Sequence, residues 1–322
     1  MTVIKILVPL NDRKDIISFK QAGADELYLG FYDEQWTQRF GKYADINRMS
    51  GFGKLANRYS FSEIADIIQD IRKQGMDAFV TMNANVYSEK ELEWIGQRYF
   101  PTLSQAGVSG VIVSDEAIAQ CALNAGLKPV ASTMMGAYNS DIVSFYRELG
   151  IKRIIVPRDL SLEEIAMIRD RCPDVDIEVF FMRNGCVFSD AFCLGTHCRE
   201  CGSTCGSLKA LEKQIFSCSS DFCDRHAIEL NDMLYHEAFH NEACGMCALY
   251  RLRQIGVTAL KIVGRADRPG SVEQDIRLTK ENLRILDGCS SEEEFLEKMI
   301  LPGNSYRQCK LGLCCYYPQV RF

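Results

Sequence analysis

Apolar residues along this chain gather into short continuous runs separated by amphipathic stretches. The runs are Val3–Pro9, Glu26–Gly30, Ala78–Met82, Val108–Val113, Lys128–Ser132, Arg153–Pro157, Ile177–Met182 and Ala259–Val263. Each has strand length and little alternation, the pattern of strands covered on both faces. Helical periodicity follows each run, over Asp12–Ala22, Ser62–Gln74, Ser88–Gln105, a helix ending at Asn124, Ser140–Leu149, Ser161–Arg171, Cys247–Ile255 and Val272–Leu286. Asp12 is placed to cap the first helix, and Ser161 with Glu164 three residues on is a capping-box signature. Residues 31–60, rich in Gly, Arg and aromatic side chains, read as a long polar loop. Eight strand–helix units predict an α/β protein with a closed parallel sheet, a (β/α)8 TIM-type barrel, and no Gly-rich fingerprint favours a doubly wound sheet.

In this reading residues 1–287 form the barrel, 183–247 are an insertion after strand seven, and 288–322 are a C-terminal extension. Loops that follow strands open on the C-terminal face, where barrel enzymes do their chemistry. The insertion therefore lies over the mouth.

Composition narrows the class. Apolar residues make up 47% and charged residues 25%, as in an ordinary soluble globular protein. The net charge of −6 argues against broad, sequence-independent nucleic-acid binding, which needs a basic surface. No apolar run nears the roughly 20 residues of a spanning helix, and the opening MTVIKILVPLNDRKD is not a secretory signal. The expectation is a cytoplasmic protein with no membrane contact.

The insertion changes the picture most. Nine of the fifteen cysteines and all four histidines fall between Cys186 and Cys247. A disulfide framework is out of place in the cytosol, so the segment reads as a metal or cluster site. The residues alone leave alternatives open. Cys198-x2-Cys201 and Cys244-x2-Cys247 are two zinc-type knuckles, although far apart in sequence. His236-Glu237-Ala238-Phe239-His240 matches the H-E-x-x-H pattern of zinc proteases. Cys309, Cys314 and Cys315 in the extension are open to three roles: supplying a ligand, binding a second metal, or remaining exposed. Cys121 and Cys172 fall on helices and read as packing residues.

Asn83, Ser132, Thr133, Arg158, Lys261 and Arg265 lie at or just beyond strand ends, where together they would line a pocket for an anionic substrate. Tyr28 and Arg183 are further candidates. Arg251, Arg253, Lys261, Arg265 and Arg268 form a locally basic stretch in an acidic chain.

Six segments carry a family resemblance: AGADELYLG at 22–30, VTMN at 80–83, AST at 131–133, RELGIKRIIVPRDLSLEEI at 147–165, EVFFMRNGCVFSDAFC at 178–193 and GVTALKIVGR at 256–265. In these the chain resembles the U32 peptidase family, which includes collagenase-like proteins and oxygen-independent hydroxylation proteins. It departs from the family pattern at Arg183-Asn184, where a His-Gly pair is usual, and at Val263, where a Glu is usual. The resemblance implies a four-iron four-sulfur cluster on Cys186, Cys193, Cys201 and Cys244, with zinc as the alternative metal. It further implies oxygen-independent hydroxylation of an RNA base or a quinone precursor, with prephenate as oxygen donor in some members, and partners of the same family. The length of the chain points to a small anionic organic substrate rather than RNA. Peptidase activity, and a non-catalytic role in electron transfer or oxygen sensing, are the other readings.

Overall fold

Eight apolar runs buried on both faces need either a sheet covered on both sides or a closed ring, and here they close on one another. The structure, a computed structural model, describes residues 3–186, 189–191, 193, 239–265, 267–303, 309, 312 and 314–320. The barrel strands are β1 (Lys5–Pro9), β2 (Glu26–Leu29), β3 (Asp77–Met82), β4 (Gly110–Val113), β5 (Pro129–Ala131), β6 (Arg153–Ile155), β7 (Asp176–Met182) and β8 (Ala259–Ile262). Every neighbouring pair is parallel, and β1 closes the ring by pairing Leu7 with Glu26 of β2 and with Lys261 of β8.

The helices α1 (Asp15–Ala22), α2 (Ile64–Lys73), α3 (Glu89–Ala106), α4 (Glu116–Asn124), α5 (Ser140–Glu148), α6 (Leu162–Arg171), α7 (Leu249–Ile255) and α8 (Pro269–Asp287) follow the strands in turn. In α2 the spacing of Ile64, Ile67, Ile68 and Ile71 aligns four isoleucines on one face, and all four are fully buried. Each contributes about 1.5–3 kcal/mol of apolar burial. The Ser161–Glu164 capping box forms as expected, with Glu164 N–H donating to Ser161 Oγ at 3.2 Å. Inside α3 a π turn over Ile95–Tyr99 precedes Pro101, which has no N–H to continue the ladder.

Two expectations need correction. Asp12 does not cap α1: its carboxylate takes the Lys14 N–H at 3.2 Å, and the helix begins three residues later. Residues 31–60 are more structured than a polar loop. They hold the helix Glu34–Phe40, capped by Asp33, and a short parallel pair of Phe31–Tyr32 with Tyr59–Ser60. Trp36 anchors this excursion, buried among Phe40 and Tyr99. One indole among many polar neighbours is too sparse a signal for periodicity to register.

The extension also does more than follow the barrel. After the helix Glu292–Lys298, the chain returns to the mouth at Cys314–Val320. Cys244 bridges to Met182 at the end of β7 on one side and to Cys315 on the other. Tyr317 donates its hydroxyl to the Phe180 carbonyl at 3.0 Å. Cys309 and Cys314 are buried, which rules out exposed thiols for these two.

Candidate active site at the barrel mouth

The barrel interior is charged where barrels of this kind are usually packed with branched apolar residues. Arg153 of β6 reaches the carboxylate of Glu26 on β2 through two bonds, at 2.9 and 2.5 Å. Those strands are four apart in the ring, so this pair spans the barrel. Arg153 also donates to Glu178 at 2.9 Å, and Lys261 meets the other oxygen of Glu178 at 2.7 Å. Burial alone would push the Glu178 carboxyl up, but Lys261 and Arg153 outweigh it and hold the group below its ordinary range. Lys261, expected at the pocket, is thus committed on one side to Glu178, while its ammonium lies 4.3 Å from the Tyr28 ring.

Arg265 sits above this network and is 6% exposed. Its guanidinium donates to Thr81 Oγ1 at 2.9 Å, Asn57 Oδ1 at 3.2 Å and Asn47 Oδ1 at 3.2 Å. All three are neutral. Burial pulls its pKa down to about 10, with Tyr28 the one group acting against that shift. A buried cation answered by neutral oxygens is costly unless an anion completes it. The close approach depends on Gly30: a Cβ there would run into Asn57 Oδ1 and Arg265 Nη1. Gly30→Ala is therefore expected to displace the guanidinium and cost about 1–3 kcal/mol of stability by overpacking, measured by urea unfolding.

A second group gathers after β6 and β7. Asp190, buried in the turn between Cys186 and Cys193, takes Arg158 Nε at 2.8 Å and stands 3.7 Å from Arg48. Arg158 also lies 4.1 Å from the Phe180 ring centroid and within electrostatic reach of Cys186. Cys193 N–H bonds the Asp190 carbonyl at 3.2 Å. Tyr316 of the returning tail is near both Cys186 and Cys244, and donates its hydroxyl to the Arg183 carbonyl. Arg183 and Asn184 have left-handed φ values of 62° and 50°, a conformation Asn tolerates and Arg rarely adopts. Arg183 does not face the pocket; it pairs with Asp275 on α8.

The remaining expected residues fall as follows. Asn83 Nδ2 donates to Ser132 Oγ at 3.3 Å, and Ser132 caps the short turn Thr133–Met135, with Thr133 buried. The basic stretch divides: Arg251 and Arg253 pair with Glu292 and Asp287, while Lys261 and Arg265 face inward. His240 contacts the Gly185 carbonyl at 3.2 Å through Nδ1. Cys198, Cys201, Cys205, His236 and Glu237 lie outside the described residues, so the third cluster ligand and most of H-E-x-x-H do too. Among the described residues, no three His, Cys, Asp or Glu side chains already converge as a metal site. No described helix is long and apolar enough to cross a membrane. Sequence reading missed Asn47, Arg48, Asn57, Thr81 and Asp190; the unusual length of the segment after β2 was the signal for the first three, and the family segments at 80–83 and 178–193 contain the other two.

A closed (β/α)8 barrel with a buried arginine site and a cysteine-bearing loop at its C-terminal mouth defines the class. Within it, the chain belongs to peptidase family U32, whose model matches residues 12–300. It is similar to tRNA hydroxylation protein P2 of Bacillus subtilis, 24% identical over 91% of this chain and 89% of that one. It is also similar to the 23S rRNA 5-hydroxycytidine synthase of Escherichia coli, 26% identical over 67% of this chain and 32% of that one. An uncharacterized protease of Methanocaldococcus jannaschii is 26% identical over 64% of this chain and 49% of that one. The chain thus spans most of the first relative but about a third and a half of the other two.

Proposed function

We propose that this chain is an oxygen-independent RNA hydroxylation protein. Its site would hold an iron–sulfur cluster on Cys186, Cys193, Cys201 and Cys244 and bind a small organic acid at Arg265. The observation that carries the reading is the buried Arg265 guanidinium with neutral partners, at the same mouth as the cysteine loop. RNA is preferred over a free small molecule as the group modified because length does not separate the two: a tRNA hydroxylation protein matches this chain along nearly its full extent.

The described residues suit a cluster in their chemistry. Thiolates are what an iron–sulfur cluster takes. Cys244 is tied by backbone pairing to the last residue of β7, and Cys186 lies four residues beyond that strand. Arg158, near Cys186 and paired with Asp190, would lie beside the negative charge of a thiolate-bound cluster. When bound, the cluster would supply redox or Lewis-acid chemistry at the mouth.

The chain's own residues do the rest. Arg265 would clamp a carboxylate, with the Lys261 ammonium and Tyr28 beside it. Asn83 and Ser132, joined to each other, present polar atoms on the opposite wall of the ring. Tyr316 and Phe180, both buried, stack with ring centroids 6.3 Å apart, and Tyr316 is near Cys186 and Cys244. RNA contact by an acidic chain would be local, made by the substrate nucleotide entering the mouth.

Protein purified without oxygen should be brown and contain iron and sulfide. Cys186→Ser and Cys193→Ser should each bleach it and abolish the hydroxylated nucleoside in the RNA of a complemented deletion strain. Colourless, iron-free wild-type protein that still restores the modification would defeat the cluster assignment.

A further inference from the structure

The extension carries three cysteines that the reading above does not use, and the structure brings them to the second knuckle. Cys244, Cys247, Cys309 and Cys315 line one cavity, which Tyr317 and Val320 close. The cavity is small, ≈ 10 Å³, room for about one water-sized particle and far too little for a four-iron cube. Cys314 is fully buried, and its Sγ lies 3.6 Å from that of Cys309. Zinc–sulfur bonds of about 2.3 Å in a tetrahedron place neighbouring sulfurs about 3.8 Å apart, so this pair already has nearly the required edge. Cys315 is within side-chain hydrogen-bond reach of Cys314.

The backbone holds these groups in place. Cys244 N–H donates to the Cys314 carbonyl at 2.8 Å, and Tyr316 N–H donates back to the Cys244 carbonyl at 3.0 Å. Gly245 lets the knuckle approach, because a Cβ there would meet the Phe181 ring at 2.9 Å and the Tyr317 ring at 3.2 Å. Four thiols line this cavity and Cys314 stands beside Cys309, so five lie close together, one more than a tetrahedral ion takes, and an ion would have to draw its four inward.

We propose that Cys247, Cys309, Cys314 and Cys315 ligate a single zinc-class ion in a closed, structural tetrathiolate site that fastens the C-terminal tail to the barrel mouth. The division of the five thiols rests on the preceding reading, which gives Cys244 to the cluster. Binding converts four thiols to thiolates and releases their four protons to solvent. The ion has no open position and takes no part in the reaction. Its effect on the mouth is indirect: it holds Tyr316 between Cys186 and Cys244.

The test uses the full chain, purified without oxygen, with iron and zinc measured together. One zinc per chain is expected besides the iron. The double variant Cys309→Ser/Cys315→Ser should lose the zinc and keep the iron and its visible absorption, whereas Cys186→Ser should lose the iron and keep the zinc. Cobalt added to metal-depleted wild-type chain should give the d–d bands of tetrahedral thiolate cobalt, weakened in Cys315→Ser alone; this keeps the test decisive if the double variant misfolds. Zinc retained by a folded double variant, or wild-type protein that takes neither zinc nor cobalt, would overturn the proposal. So would tail variants that lose iron from a protein containing no zinc, which would make the tail a source of cluster ligands. Zinc-containing protein without iron would instead remove the cluster reading and leave this site standing.

Discussion

Arg153→Ala should destabilise the fold by about 3–5 kcal/mol near neutral pH, the range for removing one partner from a buried ion network. Glu26 and Glu178 are both fully buried, and Arg153 bonds both. Lys5 would remain for Glu26 at 2.9 Å and Lys261 for Glu178 at 2.7 Å, so each carboxylate keeps a single cation. The pH dependence has a definite sign. Glu178 is held below its ordinary value of 4.5, so its contribution is present above that value and is lost as pH falls through the lower, folded one. The gap between wild type and Arg153→Ala should therefore narrow in acid, because a protonated Glu178 no longer needs the guanidinium. Urea unfolding at neutral pH and below pH 4.5 measures both quantities. A gap that stays constant across that window would show that Arg153 acts through packing on Phe79, whose ring lies 4.7 Å away, rather than through charge.

Arg265→Ala should leave the cluster absorption intact and lower modification by at least about tenfold, equivalent to about 1.4 kcal/mol. Losing the partner of a buried charge costs up to about 2–5 kcal/mol, so the fall can be much larger. Arg265→Lys should recover only part of it, because one ammonium cannot reproduce the forked contacts to Thr81, Asn57 and Asn47. Stability should move the other way. The variant no longer buries a cation among neutral groups, so it should unfold at a urea concentration no lower than wild type. Nucleoside mass spectrometry of RNA from a complemented deletion strain, with the visible spectrum of each purified variant, separates the outcomes. Full modification by Arg265→Ala would take this residue out of the site, and a bleached variant would make it structural.

The barrel was legible because burial on both faces leaves a mark on every strand. The β3 run AFVTM and the β8 run ALKIV are apolar apart from Thr81 and Lys261, and only a closed or doubly covered sheet hides them. The site was legible in part, because a barrel sends residues at strand ends to one face. Arg158, Arg265, Asn83 and Ser132 were expected at the mouth on that ground, and Cys186 and Cys193 from the insertion that follows β7. The partners of Arg265 were not found. Asn47 and Asn57 lie in a stretch whose fold depends on one buried indole, and nothing local tells a buried asparagine from a solvated one.

By itself the sequence determined the element order, the barrel, the family and the concentration of cysteines after β7. The family follows from its six motif segments, and the rest from local periodicity and residue type, which act over a few turns of chain. Only the tertiary structure decided which charges meet. Arg153 looks like the polar start of a strand, yet closure of the ring sets it opposite Glu26 across the barrel. Lys261 looks like a pocket cation, yet the same closure ties it to Glu178. The tail cysteines look detached, yet pairing of Cys315 with Cys244 brings them to the mouth. Contacts between residues so distant in sequence are fixed by the geometry of closure and by the cost of leaving buried charges and thiols unanswered, and neither is written in any local pattern.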